Sequence, residues 1–403
     1  MKKYWKMILI SLVIVTAIGS YYIQAARATK KDFPFKIETT SGNKEEIENL
    51  ILQGSYQNGA IYRLLNISKE GATNLLNRQT SIEGLIAPQV PLMLQKYIQE
   101  HRNFMRGKEL TPWKYFEDKE RLIYTTDPNN GQKVIQGNLL TLQIDILDKR
   151  TNNSSSLEIN TTAQVSYDRM YVNDVYVKNE EIKILVTNYL INGGKELHIY
   201  TVNEKSKELE HDSIIAKIEQ EEGIYSDISF FNNFNKVQNE NYYFYMIEKY
   251  KERMGGGRPV TISSQMYIYN NVNNEVEEWT IPAELTPNKN LMFLHGEKIF
   301  IPVLSANNIE LNHYNIETKR WEEPIHFNYP STINDKDTPF LQITDDKLYF
   351  VNRVSDDYSL YIGDLSTGEA LYEGKIINED SEKLDINFSL YIEQINGINL
   401  RTS

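Results

Sequence analysis

The chain has 403 residues, a formal net charge of −12 and no cysteine. Disulfides, thiolate metal sites, a cysteine nucleophile and lipidation of an N-terminal cysteine are thereby excluded, and the acidic balance repels a nucleic-acid backbone. The length calls for two domains or one large repetitive one, and 27 tyrosines, 14 phenylalanines and many β-branched residues favour an all-β body.

Residues 1–6 hold Lys2, Lys3 and Lys6 and are expected in the cytoplasm. An apolar run follows from Met7 to Ile23, 17 residues, or 20 when counted through Ala26, close to the roughly 20 needed to span a bilayer. Tyr4-Trp5 and Tyr21-Tyr22 bracket it, about 25 Å apart along a helix, at the spacing of interfacial aromatic belts. Residues 7–26 thus read as a transmembrane anchor or uncleaved signal. Ala26-Arg27-Ala28 offers an A-x-A cleavage pattern, so secretion after cleavage near Ala28 is the alternative. Either way the bulk of the chain is extracytoplasmic, and without its first 28 residues it keeps 39 basic and 55 acidic residues, net −16.

Residues 27–54 are expected as a stalk with a short helix. In "SGNKEEIENLIL" (41–52), Asn43 precedes Glu46 at capping-box spacing, with Ile47, Leu50 and Ile51 on one face. After Pro88 and Pro91, the spacing of Leu94, Tyr97, Ile98, His101, Phe104 and Met105 predicts a second helical insertion, with His101 as a hydrogen-bonded core histidine.

Beyond residue 112 the period changes. A polar or Gly step followed by aliphatic and aromatic residues recurs as "DKERLIYTT" (118–126), "NEEIKILVT" (179–187), "NENYYFYMI" (239–247), "HGEKIFIPV" (295–303), "DDKLYFVNR" (345–353) and "INGINLRTS" (395–403), with "QNGAIYRLL" (57–65) upstream. The first apolar residues, Ile61, Leu122, Ile182, Tyr242, Ile299, Leu348 and Ile398, are spaced by 61, 60, 60, 57, 49 and 50. Most of these signatures lead into a strand, a polar turn and a strand, as in "LQIDILDKRTNNSSSLEI" (142–159), "HIYTVNEKSKELE" (198–210), "YIYNNVNNEVEEWTI" (267–281), "NHYNIETKRWEEPI" (312–325) and "LYIGDLSTGEALYEG" (360–374). Asp, Asn, Ser and Gly crowd the turns because they cap a bend or tolerate positive φ, and Gly368 stands where a left-handed residue is needed.

Such a sheet cannot bury both faces alone, so neighbours must stack. The repeat resembles the generic blade pattern of the β-propeller superfamily over residues 55–403, without the Gly-His…Trp-Asp pair of WD40 repeats or the Gly-Gly doublet of kelch repeats. That resemblance implies about six blades, with seven as the alternative, the last blade being completed from "SYQNGAIYRLLNIS" (55–68). Two β-rich domains joined near residues 216–226 are the competing architecture.

No catalytic, cofactor-binding or metal residue is assigned, and no cofactor is expected. His101, His198, His211, His295, His313 and His326 form no metal-binding motif. "ERMGGGRPV" (252–260) lacks the Gly-Lys-Ser/Thr ending of a phosphate loop and reads as a hairpin insertion. Asp345-Asp346 and Asp356-Asp357 read as solvated turns. Trp279 and Trp321, at equivalent hairpin positions, read as packing between blades, and Asn66, Asn153 and Asn160 match the glycosylation acceptor pattern.

The expectation is a membrane-anchored, non-catalytic binding module that contacts a protein or a cell-envelope component. Two alternatives stand beside it: a hydrolase or lyase with its site in the propeller channel, and an extracytoplasmic regulator of a membrane sensor system. Asp, Glu and His gathered at a channel mouth would favour the enzyme, and apolar or amide walls the binder.

Overall fold

The computed structural model describes Thr16 and residues 35–58, 61–74, 92–127, 140–161, 167–178, 180–232, 241–251, 259–305, 307–329, 339–354, 357–378 and 388–396. The expected anchor at 7–26, apart from Thr16, lies outside these residues, as do most of the glycine-rich stretch at 252–258 and the signature beyond Asn396. Among the described residues, no helix is long and apolar enough to cross a membrane.

The chain is mostly β, built as six antiparallel sheets among the described residues. Sheet I takes Phe388–Asn396, Ile51–Asn58, Ile61–Ser68 and Gly71–Asn74. Sheet II takes Tyr115–Glu117, Arg121–Thr125, Leu140–Asp148 and Asn153–Thr161. Sheet III takes Tyr167–Lys178, Glu181–Leu190, Lys195–Asn203 and Glu208–Ile218. Sheet IV takes Ile224–Phe230, Tyr242–Lys251, Val260–Asn270 and Glu275–Trp279. Sheet V orders Phe293–His295, Lys298–Ser305, Asn308–Asn315 and Arg320–Trp321, and sheet VI orders Phe340–Thr344, Lys347–Val354, Asp357–Asp364, Ala370–Asn378 and Phe35–Gly42.

Leu122, Ile182, Tyr242, Ile299 and Leu348 all fall on the second strand of their sheets. Ile61 does not: it begins the third strand of sheet I, whose second strand starts ten residues earlier at Ile51. The C-terminal strand Phe388–Asn396 pairs with Ile51–Asn58 from Phe388↔Asn58 to Asn396↔Ile51, so chain segments from both ends complete one sheet.

The five hairpins singled out by their turns join the third and fourth strands of sheets II to VI, and they share one geometry. An Asx residue closes the third strand and a positive-φ residue follows four positions later: Asp148/Asn152, Asn203/Lys207, Asn270/Asn274, Asn315/Lys319 and Asp364/Gly368. The Asx side chain accepts turn N–H groups, as Asp364 does from Ser366 (2.8 Å) and Thr367 (3.0 Å), and Asn203 from Lys205 (2.9 Å) and Ser206 (3.1 Å). Only Gly368 occupies the left-handed position without a side-chain penalty. A Cβ there would also stand 2.6 Å from the His326 carbonyl oxygen.

The stalk expected at 27–54 takes another form over its described part. Phe35–Gly42 adds a fifth strand to sheet VI beside Ala370–Asn378, because Phe35 and Ile37 alternate with polar residues and bury one face. The expected helix shortens to a 3₁₀ turn at Lys44–Ile47, with Ile51 already in sheet I. Asn43 caps Glu45 N–H (3.0 Å), while Glu46 binds Lys347 (2.5 Å) instead of closing a capping box. The second helix runs Leu92–Glu100 and resumes at Arg102–Met105. His101 stands at the break with both ring nitrogens buried and unpartnered, contrary to the expected satisfied histidine.

The described residues separate into two compact units, one within Met1–Gln89, Leu304–Glu310 and Ile325–Ser403, the other within Val90–Val303 and Leu311–Pro324. In the first unit, Leu52, Leu65 and Ile67 of sheet I pack with Tyr349, Leu360, Ile362 and Tyr372 of sheet VI. In the second, sheet III is covered on both faces. Ile182, Ile184 and Val186 join the cluster with sheet II, whereas Leu185, Leu197 and Ile199 join Tyr243 and Tyr245 of sheet IV. Sheet IV repeats the arrangement, its Tyr242, Phe244 and Met246 packing with Ile299 and Ile301 of sheet V. Central strands buried on two faces carry apolar residues at consecutive positions, which explains near-continuous runs such as "IKILV" in place of strict alternation.

Candidate functional site

Within the second unit, a cleft of ≈ 550 Å³ opens among Glu109, Trp113, Lys114, Asp127, Tyr171, Val172, Asn173, Thr187, Tyr189 and Phe230. Its walls come from sheets II, III and IV and from the segment that leads into sheet II from Glu109. The 3₁₀ turn Pro112–Lys114 leads into sheet II, with Trp113 turned outward and Lys114 inward. Asp127 follows the second strand of sheet II, Tyr171 to Asn173 with Thr187 and Tyr189 lie on the first two strands of sheet III, and Phe230 ends the first strand of sheet IV.

Lys114 is only 3% exposed, and its Nζ donates to Asp127 Oδ2 and Glu109 Oε2, each at 2.5 Å. Asp127 Oδ1 in turn accepts Val172 N–H at 2.7 Å, tying the turn to sheet III. Burial opposes the Lys114 charge, but bonding to Asp127 and Glu109 outweighs it and raises its pKa above the usual lysine value. Burial likewise works against the Glu109 carboxylate, and bonding to Lys114 and Thr111 overcomes it, leaving its pKa below the usual glutamate value. Lys114 is therefore a held cation with no lone pair to attack with, and Glu109 is a poor proton donor near neutrality.

The remaining lining is aromatic and neutral polar. Trp113 is 39% exposed, and Tyr171 and Tyr189 meet edge to face at 5.6 Å. Asn173 Nδ2 donates to Thr187 Oγ1 at 2.6 Å. Lys195 Nζ lies 5.3 Å from the Tyr189 ring centroid while donating to Ser226 O (2.8 Å) and Asp227 Oδ1 (3.1 Å).

The histidines do not converge. His198 is buried in sheet III between Asp212 Oδ1 (2.5 Å) and Glu196 Oε2 (3.2 Å), stacked on Tyr200 and beside the Tyr167 hydroxyl. His313 bonds Glu322 (2.9 Å), and the Phe300 ring packs against both His313 and His295. Among the described residues, no group of three or more His, Asp, Glu or Cys side chains could hold a metal. Asp345 and Asp346 both take positive φ in an exposed turn. Asn66 is buried and accepts Gln53 Nε2 at 3.0 Å, so it does not present a glycosylation acceptor in the folded chain. Trp279 is buried with sheets IV and V, and Trp321 lies against it at 6.1 Å.

Sequence reasoning singled out none of the cleft residues. The trace it carried was "TPWKYFE" (111–117), where a lysine stands between a tryptophan and two aromatic residues about to enter a strand. Nothing in that spacing shows that Asp127 folds back onto Lys114.

No protein-family model matches the chain, and no curated protein matches it. Among solved structures it is similar to TolB from Acinetobacter baumannii, at 12% identity and a TM-score of 0.30, covering 82% of this chain and 64% of that one. It is similar to the polysaccharide lyase Uly1 at 11% identity and 0.35, covering 66% and 57%. The β-propeller domain of the trilobed protease from Pyrococcus furiosus matches at 11% and 0.25, covering 82% and 83%. The chain spans less than two thirds of the length of the first two, and similarity at this level assigns it no activity.

Proposed function

We propose that this protein is a membrane-anchored, extracytoplasmic β-propeller whose six sheets are its blades, and that it binds a protein or cell-envelope component through the cleft without catalysing its conversion. The observation that carries this reading is the commitment of Glu109 and Asp127 to one buried lysine. It leaves an aromatic and amide-lined surface with no poised acid, base or nucleophile. Acid–base hydrolysis of a glycosidic bond needs a carboxyl group held protonated near neutrality, and the Glu109 pKa is displaced in the opposite direction. The buried His198 cluster offers no reachable alternative. Aromatic side chains supply contact area at small entropic cost, which suits a recognition surface.

The test is crosslinking in intact cells from a photoreactive residue placed at Thr111, beside the cleft, in otherwise native and Trp113→Ala chains. One defined adduct, lost in the Trp113→Ala chain, is expected. Turnover of envelope polymer by the purified chain, with no Trp113-dependent adduct, would reverse the reading.

A further inference from the structure

We propose that the cleft binds a short neutral saccharide, a segment of two to three pyranose rings stacked on Trp113 and hydrogen-bonded to Asn173 and Thr187. The proposal rests on the reading of the cleft as a binding site and names the chemistry of its ligand.

Three observations lead there. Charge is the first: Lys114 is the sole cation among the described lining residues and is spent on two carboxylates, while Lys195 and Arg169, which adjoin Tyr189 and Tyr171, are paired with Asp227 and Asp168, so the lining offers phosphate or sulfate no uncommitted cation. Hydrogen-bond valence is the second. The Asn173–Thr187 pair leaves the Asn173 carbonyl oxygen as an acceptor, and the Thr187 hydroxyl, whose oxygen already accepts, keeps its hydrogen to donate. Donor and acceptor side by side match a sugar hydroxyl, which is both, better than an all-acceptor anion or an all-donor ammonium group.

Ring geometry is the third. Trp113 lines the cleft and is 39% exposed to solvent, an unusually open position for so large an apolar ring. The polarised axial C–H groups of a pyranose are drawn to the electron-rich face of such a ring. Tyr171, Tyr189 and Phe230 extend the aromatic wall, and ≈ 550 Å³ falls within the roughly 300–1,000 Å³ of small-ligand clefts.

The experiment titrates full-length, detergent-solubilised protein with cellotriose, chitotriose and maltotriose, and with trilysine and triglutamate as charged controls, by calorimetry and tryptophan fluorescence. Saturable binding of at least one trisaccharide is expected, weakened tenfold or more by Trp113→Ala and several-fold by Asn173→Ala, with an unchanged melting temperature in Trp113→Ala. Failure of all three trisaccharides, or trisaccharide binding indifferent to Trp113→Ala, overturns the proposal. Trilysine or triglutamate binding that depends on Trp113 and excludes the trisaccharides also overturns it while leaving the cleft as a recognition site. That wider reading falls only if the crosslinking at Thr111 is independent of Trp113 as well.

Discussion

The Lys114 ammonium lies 2.5 Å from Asp127 Oδ2 in a position where lysine is almost wholly withdrawn from water. Removing Lys114 strands the Asp127 carboxylate, a loss of about 3–5 kcal/mol for a buried pair, whereas removing Asp127 leaves Lys114 its bond to the more exposed Glu109. Lys114→Met should lower stability by that order and Asp127→Leu by less, and the double variant Lys114→Met/Asp127→Leu by less than their sum. Urea denaturation of the four proteins checks the coupling, and strict additivity would disprove it.

Lys183 is a second buried lysine with a different entourage. Its Nζ donates to Asn271 O (2.9 Å) and Asn274 Oδ1 (3.0 Å), both neutral acceptors, and desolvation lowers its pKa against the pull of the exposed Glu181 carboxylate 3.9 Å away. Lys183→Met leaves no deeply buried carboxylate unpaired, so a loss of at most about 1–3 kcal/mol is expected, smaller than for Lys114→Met in the same assay.

The two lysines also predict opposite alkaline behaviour. A raised folded pKa makes the Lys114 contribution complete below the unfolded value of about 10.4 and lost as pH climbs through the folded value. A lowered folded pKa makes Lys183 release its proton earlier in the folded chain, so its contribution rises with pH between its folded value and about 10.4. The depressed Glu109 and Asp145 carboxylates stabilise above an unfolded value of about 4 and lose that effect as pH falls through their folded values. Melting temperatures between pH 2 and 11 should fall at both extremes, and Lys114→Met should flatten the alkaline fall while Lys183→Met steepens it.

The shared turn geometry separates glycine from its counterparts. Gly368→Ala places a Cβ against the His326 carbonyl at φ +75 and should cost more than about 1 kcal/mol. Lys207→Gly at the equivalent exposed site, φ 62, relieves strain and should be neutral to stabilising by up to about 1 kcal/mol. Chemical denaturation of the two variants decides it, and equal effects of one sign would refute the equivalence.

Trp279 and Trp321 occupy matching hairpins but unequal surroundings, 6% and 38% exposed. Trp279→Ala should cost about 3–5 kcal/mol, since it empties the cluster between sheets IV and V. Trp321→Ala should cost clearly less. A reversed order in the urea midpoints would place the packing elsewhere.

Much of the repeat was legible because its cause is local. The five third-to-fourth-strand hairpins, from Asp148 to Gly368, announce themselves through Asx and glycine chemistry that acts within five residues. The second strands stand out because burial on two faces leaves near-continuous apolar runs such as Ile182–Val186, broken only by Lys183. Sheet I was harder to place. Its second strand, "ILQGSYQN", mixes Gly54 and polar residues, and the more apolar neighbour at Ile61 drew the marker instead.

The sequence by itself determined the all-β class, the spacing of the second strands and the chemistry of the turns, since short-range sterics and hydrophobic periodicity act along the chain. Only the tertiary structure decided that Phe35–Gly42 would cover sheet VI, in which register Phe388–Asn396 would pair with Ile51–Asn58, and that Asp127 would meet Lys114. Those pairings join residues by hydrogen bonds and charges across folded space, where neither spacing nor residue type names the partner.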